Sequence, residues 1–138
     1  MNTYTYDEIN IGHKESFTVT VTSAERDKFR EITGDINPLH NDLDYAKSMG
    51  HDQCVAYGML SASYLSTLAG VYLPGKNSLI QKVETNFRKP VYVGDTLTVT
   101  GEVTDKNDNY KIIEVKVEIK NQDGVKVVKG KMEIAVAE

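Results

Sequence analysis

From Phe17 through Val21 apolar and polar residues alternate, the period-two pattern of a strand with one buried face. The period then lengthens. Phe29 and Ile32 supply the apolar positions of a helix, Thr22 and Glu25 have the spacing of a capping box, and Gly34 suits the left-handed position after a helix end. A second, short helix is expected at 42–49, with Asp42 as N-cap, Gly50 as terminator and Tyr45, Ala46 and Met49 on its inner face. The most apolar helix follows at 58–72, where Met59, Leu60, Ala62, Leu65, Leu68 and Ala69 are interleaved with Ser61, Ser63, Ser66 and Thr67. Small residues and hydroxyls that bond back to their own helix let a sheet approach it closely on most sides.

After Pro74-Gly75 the pattern returns to period two. Strands are expected at 79–88, 96–104, 110–120 and 125–136, separated by Pro90, Gly94-Asp95, Asn107-Asp108-Asn109 and Gln122-Asp123-Gly124. Ile113, Val115, Val117 and Ile119 share a face, whereas Val125 and Val127 are out of phase with Val128, Met132, Ile134 and Val136, which calls for a bulge near Val127. One nearly all-round apolar helix and a long antiparallel sheet give an α+β class, and a single hot-dog domain over 1–138 is expected, with the sheet wrapped around the central helix. Periodicity alone equally admits another α+β roll, such as a cystatin-like sheet holding a helix.

Composition narrows the partners. A chain of 138 residues, 40% apolar and 26% charged, suits one globular unit small enough to gain from oligomerisation. A net charge of −4 with scattered basic residues leaves no footprint for nucleic acid. No apolar run is long enough to cross a bilayer, no leader-like segment opens the chain, and a single cysteine excludes an intrachain disulfide, so a cytoplasmic protein without a membrane partner is expected.

The chemistry concentrates in Gly34-Asp35-Ile36-Asn37-Pro38-Leu39-His40. Pro38 fixes its own φ and pushes Asn37 towards an extended conformation, so the run from Asp35 to His40 is not one regular helical turn. A carboxylate and an imidazole held this way can share a water, deprotonate it and deliver a proton, as addition of water to an activated double bond requires. Taken alone, Asp35 reads equally as a turn residue and His40 as a surface or core histidine. Gly58 begins the apolar helix, where unsatisfied N–H groups and the positive end of the dipole can receive developing negative charge.

Together with Gly58-Met59-Leu60-Ser61-Ala62-Ser63 and Arg88-Lys89-Pro90-Val91-Tyr92-Val93-Gly94-Asp95-Thr96, this run resembles the MaoC-like dehydratases, and within them the (R)-specific enoyl-CoA hydratases. The resemblance implies a dimer of hot-dog chains that hydrates trans-2-enoyl-CoA reversibly to (R)-3-hydroxyacyl-CoA. It puts the catalytic pair at Asp35 and His40, the oxyanion contact at Gly58 and an active-site serine at Ser66. Which of Asp35 and His40 acts as acid and which as base stays open, since groups sharing a water titrate as a unit. The family commonly has histidine before the helix glycine; Tyr57 stands there instead, a departure that bears on substrate range. Asn37 reads as a loop-orienting residue, and Arg88 with Lys89 as either a solvated strand end or a contact for CoA phosphates.

His40, Asp42, Asp44 and His51 match neither a helical two-histidine zinc motif nor a calcium loop, so no metal is expected, and no cofactor beyond the thioester substrate itself. Cys54 reads as a small packing residue, and His13 and His51 as solvent-exposed. Two other readings stand beside the hydratase: a dehydratase acting on carrier-protein-bound acyl groups, and a non-catalytic acyl-CoA-binding protein of the same fold.

Overall fold

Thr22 turns the chain from β1 (Lys14–Thr20) into α1 (Ser23–Thr33). Its hydroxyl accepts the Glu25 N–H at 3.2 Å while the Glu25 carboxylate accepts the Thr22 N–H at 3.1 Å, so both halves of the capping box close. Gly34, at φ 73°, ends the helix in the left-handed region. The structure, a computed structural model, describes residues 1–137. Two short helices follow, α2 (Pro38–Asn41) and α3 (Leu43–Ser48), then the central helix α4 (Gly58–Thr67). Regular helix stops at Thr67 rather than Tyr72, because Leu68–Tyr72 winds into a wider π-type turn around Gly70, a poor helix former.

Four strands complete the molecule: β2 (Ser78–Phe87), β3 (Thr96–Asn107), β4 (Ile112–Lys120) and β5 (Lys126–Val136). They form one antiparallel sheet in the order β1-β3-β4-β5-β2, wrapped on α4 in the expected hot-dog manner. Ile113, Val115, Val117 and Ile119 are fully buried on its concave face, against Leu65 and Leu68 of the helical segment. The bulge lies where the slipped pattern requires it. Ile119 pairs with Val128 and Lys120 with Lys126, which leaves Val127 unpaired and lets it and Val128 both be buried. The freed Val127 carbonyl accepts the N–H groups of Arg88 at 2.8 Å and Lys89 at 3.4 Å, so β2 leaves the ladder at Phe87, one residue short of Arg88.

Several expectations do not hold. Ile32 of α1 is 82% exposed, and Tyr45 of α3 and Met49 just after it are exposed too, leaving Ala46 as the buried residue of that helix. The cause is placement, since α3 rests on α2 rather than on the sheet. His13 and His51 are half-buried, not exposed: His13 sits 3.2 Å from Glu15, and His51 Nδ1 lies 2.9 Å from the Tyr92 hydroxyl. Cys54 is buried without a disulfide partner. No helix among the described residues is long and apolar enough to cross a membrane.

The N-terminal segment is latched to the end of β3. Tyr6 donates to Asp108 at 2.7 Å, and Lys106 Nζ lies 4.1 Å above its ring while donating to the carbonyls of Tyr6 at 3.0 Å and Ile9 at 2.6 Å. Burial, then the hydrogen bond and charge of Asp108, push the Tyr6 hydroxyl from 10.0 up to about 12. A raised folded value favours the folded state fully below the unfolded one, and the gain is lost as pH rises through the folded one. The melting temperature should therefore fall between pH 10 and 12, and less steeply in Tyr6→Phe; burial and Glu25 push Tyr64 to about 12 as well and leave a residual slope. Thermal melts across that range, with equal slopes for both proteins counting against the latch, check this.

Candidate active site

Side chains, rather than a regular element, shape the segment between α1 and α2. Thr33 Oγ1 accepts the Asp35 N–H at 3.2 Å, Asp35 Oδ1 accepts the Asn37 N–H at 3.1 Å, and Asn37 Oδ1 accepts the Leu39 N–H at 2.9 Å. Each bond closes a turn between residues two apart, and the last one caps α2, with Pro38 at its first turn where a missing N–H costs nothing. Asp35 to Asn37 is non-helical and His40 stands on the single turn after it, a helix the sequence pattern did not reveal.

His40 is oriented by a backbone carbonyl: its Nδ1 lies 2.7 Å from the Val55 oxygen. A carbonyl only accepts, so Nδ1 carries the proton and neutral His40 keeps the Nε2 lone pair available. The ring packs 4.2 Å from that of Tyr57, which also contacts Phe29 at 5.0 Å and is 2% exposed. The Tyr57 hydroxyl donates to the Asp35 carbonyl and accepts from Asn41 Nδ2 at 2.9 Å. Asn41 Nδ2 also reaches the Asn37 carbonyl at 2.9 Å, and its Oδ1 accepts from Arg30 at 2.7 Å. Tyr57 thus fastens the Asp35 backbone and the His40 ring to the start of α4. Sequence reading did not single out Asn41 or Arg30; their spacing of four from Asn37 and from Gly34 was the available signal.

Gly58 is the first residue of α4, and no side chain caps this helix. The Gly58 and Met59 N–H groups have no acceptor among the described residues, as expected for a first turn without a cap. A Cβ on Gly58 would lie 3.2 Å from the Phe87 ring. The position is open only because the residue is glycine.

Two clefts meet at His40, Gly58 and Phe87. The first, ≈ 390 Å³, is lined also by Phe29, Thr33, Asp35, Tyr57 and Met59; it carries both a carboxylate and an imidazole. The second, ≈ 340 Å³, runs past Val55, Ala56, Ser61 and His51 to Arg88 and Lys89. Asp35, His40, Gly58 and Tyr57 therefore come together, with Arg88 in the adjoining cleft and Asn37 exposed outside both. Ser66 does not join them. Eight residues on from Gly58 it is turned about 80° around the helix, exposed on the surface of α4 and outside both clefts. Phe87 lines the clefts though nothing in the sequence marks it, and so do His51 and Ser61, expected only as an exposed histidine and a small helix residue, because their places depend on how β2, the loop at 51–54 and α4 converge. No group of three or more His, Cys, Asp or Glu among the described residues is arranged to hold a metal ion.

Residues 8–125 match the family model described as a MaoC-like domain. The (R)-specific enoyl-CoA hydratase of Aeromonas caviae is 34% identical over 122 residues, covering 88% of this chain and 91% of that protein. An unliganded R-hydratase of Pseudomonas aeruginosa superposes with a TM-score of 0.92 at 31% identity, over 97% of this chain and 86% of that one. A mitochondrial 3-hydroxyacyl-acyl-carrier-protein dehydratase of Solanum lycopersicum is 36% identical over 69 residues, covering 50% of this chain and 41% of that protein.

Proposed function

The chain belongs to the MaoC-like domain family and is a hydro-lyase of that type, and we propose that it adds water reversibly to a trans-2-enoyl-CoA to give the (R)-3-hydroxyacyl-CoA. The observation that carries this reading is the convergence on one cleft of Asp35, a His40 ring with its Nε2 free, and the unpaired N–H of Gly58. Asp35 and His40 hold one water between them. As its oxygen bonds to C3, one of the pair takes its proton and a proton passes to C2 on the same face. Electron density moves to the thioester oxygen, where the Gly58 N–H at the positive end of α4 receives it. Arg88 and Lys89, at the mouth of the second cleft, suit the phosphates of CoA.

Loss of the conjugated-thioester absorbance of crotonyl-CoA, with the product resolved by chirality, tests the proposal. Release of free thiol or formation of the (S) product overturns it. The tomato relative favours one other reading, in which the acyl group arrives on a carrier protein; matched CoA and carrier-protein substrates separate the two.

The reading includes a homodimer. Val83 and Phe87 of β2 lie opposite Met132 and Val128, which are buried, and so face the same concave side, yet both are half-exposed because nothing covers that edge. Ile32, Ile36 and Met59 are exposed as well. The opposite edge, β1, carries a polar outer row tied by Ser16–Thr100 and Thr20–Thr96 hydroxyl bonds at 3.0 Å. The long apolar edge is the liability, and an antiparallel second copy of β2 removes it. Lys82 and Glu84, 3.0 Å apart on that edge, meet such a copy with complementary charges. Light scattering should give twice the chain mass at micromolar concentration, and Val83→Asp should give one chain mass; a monomeric wild-type protein refutes the dimer.

A further inference from the structure

We propose that the Ser61 hydroxyl is a binding residue for the pantetheine arm, hydrogen-bonded to the amide nearest the thioester sulfur; the inference rests on the thioester reading above. Ser61 is 1% exposed, and among the described residues its Oγ is the one buried side-chain polar atom with no hydrogen-bond partner. A serine inside a helix ordinarily satisfies itself by bonding back to its own backbone, as Ser63 does to the Leu60 carbonyl at 2.6 Å. Ser61 does not. The Tyr57 carbonyl one turn back is already taken by the N–H groups of Leu60 at 3.1 Å and of Ser61 itself at 3.2 Å. Buried hydroxyls are otherwise paired, so an unpaired one on a residue that lines a cleft points to a partner that enters the cleft.

Position identifies that partner. Ser61 lines the cleft that joins His40 and Gly58 to Arg88 and Lys89, together with the apolar Ala56 and Val91. With the thioester oxygen at the Gly58 N–H, Ser61 lies three residues further along α4, about 4.5 Å along the axis. Two methylenes separate the pantetheine sulfur from its first amide, a reach of about 4 Å at ordinary bond lengths. The sequence of groups along the cleft thus matches that of the thiol: sulfur by Gly58, amide by Ser61, phosphate by Arg88 and Lys89. The other cleft has no lysine or arginine in its lining and offers Phe29 and Met59 to an apolar acyl chain. Coenzyme A and carrier proteins present the same arm, so Ser61 serves either source.

The test uses two unreactive ligands of equal length, butyryl-N-acetylcysteamine, which keeps the amide, and S-pentyl thiobutyrate, which replaces it with methylenes. Dissociation constants are measured for wild type, Ser61→Ala and Ser61→Cys. Ser61→Ala should weaken the amide ligand about three- to tenfold, the range of one neutral hydrogen bond, and leave the alkyl ligand unchanged or tighter. Ser61→Cys, a weaker donor of similar volume, should fall between. On crotonyl-CoA the Ala variant should raise KM with kcat preserved, because the amide contact is the same in the ground and transition states. Its melting temperature should equal or exceed that of wild type, since an unpaired buried hydroxyl is being removed. An equal change for both ligands, a lowered melting temperature, or a loss confined to substrates with an oxygen on the acyl arm overturns the inference. Amide-dependent binding in a wild-type protein that fails to hydrate crotonyl-CoA would sustain it and overturn the hydratase reading instead.

Discussion

Asp35→Asn and His40→Ala should each lower kcat on crotonyl-CoA by at least about 10²-fold, the lower end of what a positioned acid or base contributes. The proton on His40 Nδ1 is committed to the Val55 carbonyl, so Nε2 is the nitrogen through which the ring can meet a water. Asp35 keeps its side chain exposed, with Oδ1 bonded to the Asn37 N–H. Asparagine preserves that acceptor, so Asp35→Asn tests the charge and not the turn. The double variant should be little worse than either single one, because two residues acting on one water fail together. Turnover measured on folded protein, with circular dichroism melts as the control, decides the matter. Near wild-type activity in Asp35→Asn would remove the acid/base pair from the mechanism.

Gly58→Ala should separate activity from stability. The residue is helical with negative φ, so alanine fits the backbone, and alanine is favoured over glycine by up to about 1 kcal/mol in a helix interior and by less at this first position. Its Cβ would press on the Phe87 ring at 3.2 Å and crowd the approach to the N–H groups at the start of α4. Loss of one oxyanion donor costs on the order of 10²–10³ in rate, so kcat should fall by about 10²-fold while the melting temperature holds or rises. A variant as active as wild type would show that the negative charge is received elsewhere.

What could be read without coordinates was local. Thr22, Glu25 and Gly34 announce α1 because a cap is satisfied within four residues, and the phase slip at Val127 announces a bulge because every side chain beyond it would otherwise change faces. The irregular backbone from Asp35 to Asn37 was legible because the proline that follows is restrictive and its Asp and Asn side chains bond to the N–H two residues on. Features that depend on distant neighbours were not. Ile32 has the right spacing for a core position yet is 82% exposed, since α1 packs Phe29, not Ile32, against the core. Ser66 shares a helix with Gly58 but not a face. Tyr57 was visible as a departure from its family, whereas its bonds to Asp35 and Asn41 appear only once α2 folds back on the start of α4. Ser61 looked like one of several small residues on α4, and only the pairing of its neighbours isolates it.

The Tyr57 hydroxyl, held between the Asp35 carbonyl and the Asn41 amide, makes the acidic loop and the helix start a single mechanical part. For protein engineering this sets the size of the transferable cassette. Grafting residues 34–41 alone onto another scaffold would move the Asp35 and His40 side chains without the strut that spaces them from the Gly58 amide. A transplant that carries 30–41 together with 55–61 keeps Arg30, Asn41, the Val55 carbonyl and Tyr57 in one piece, and so moves the alignment of Asp35, His40 and the Gly58 amide with them.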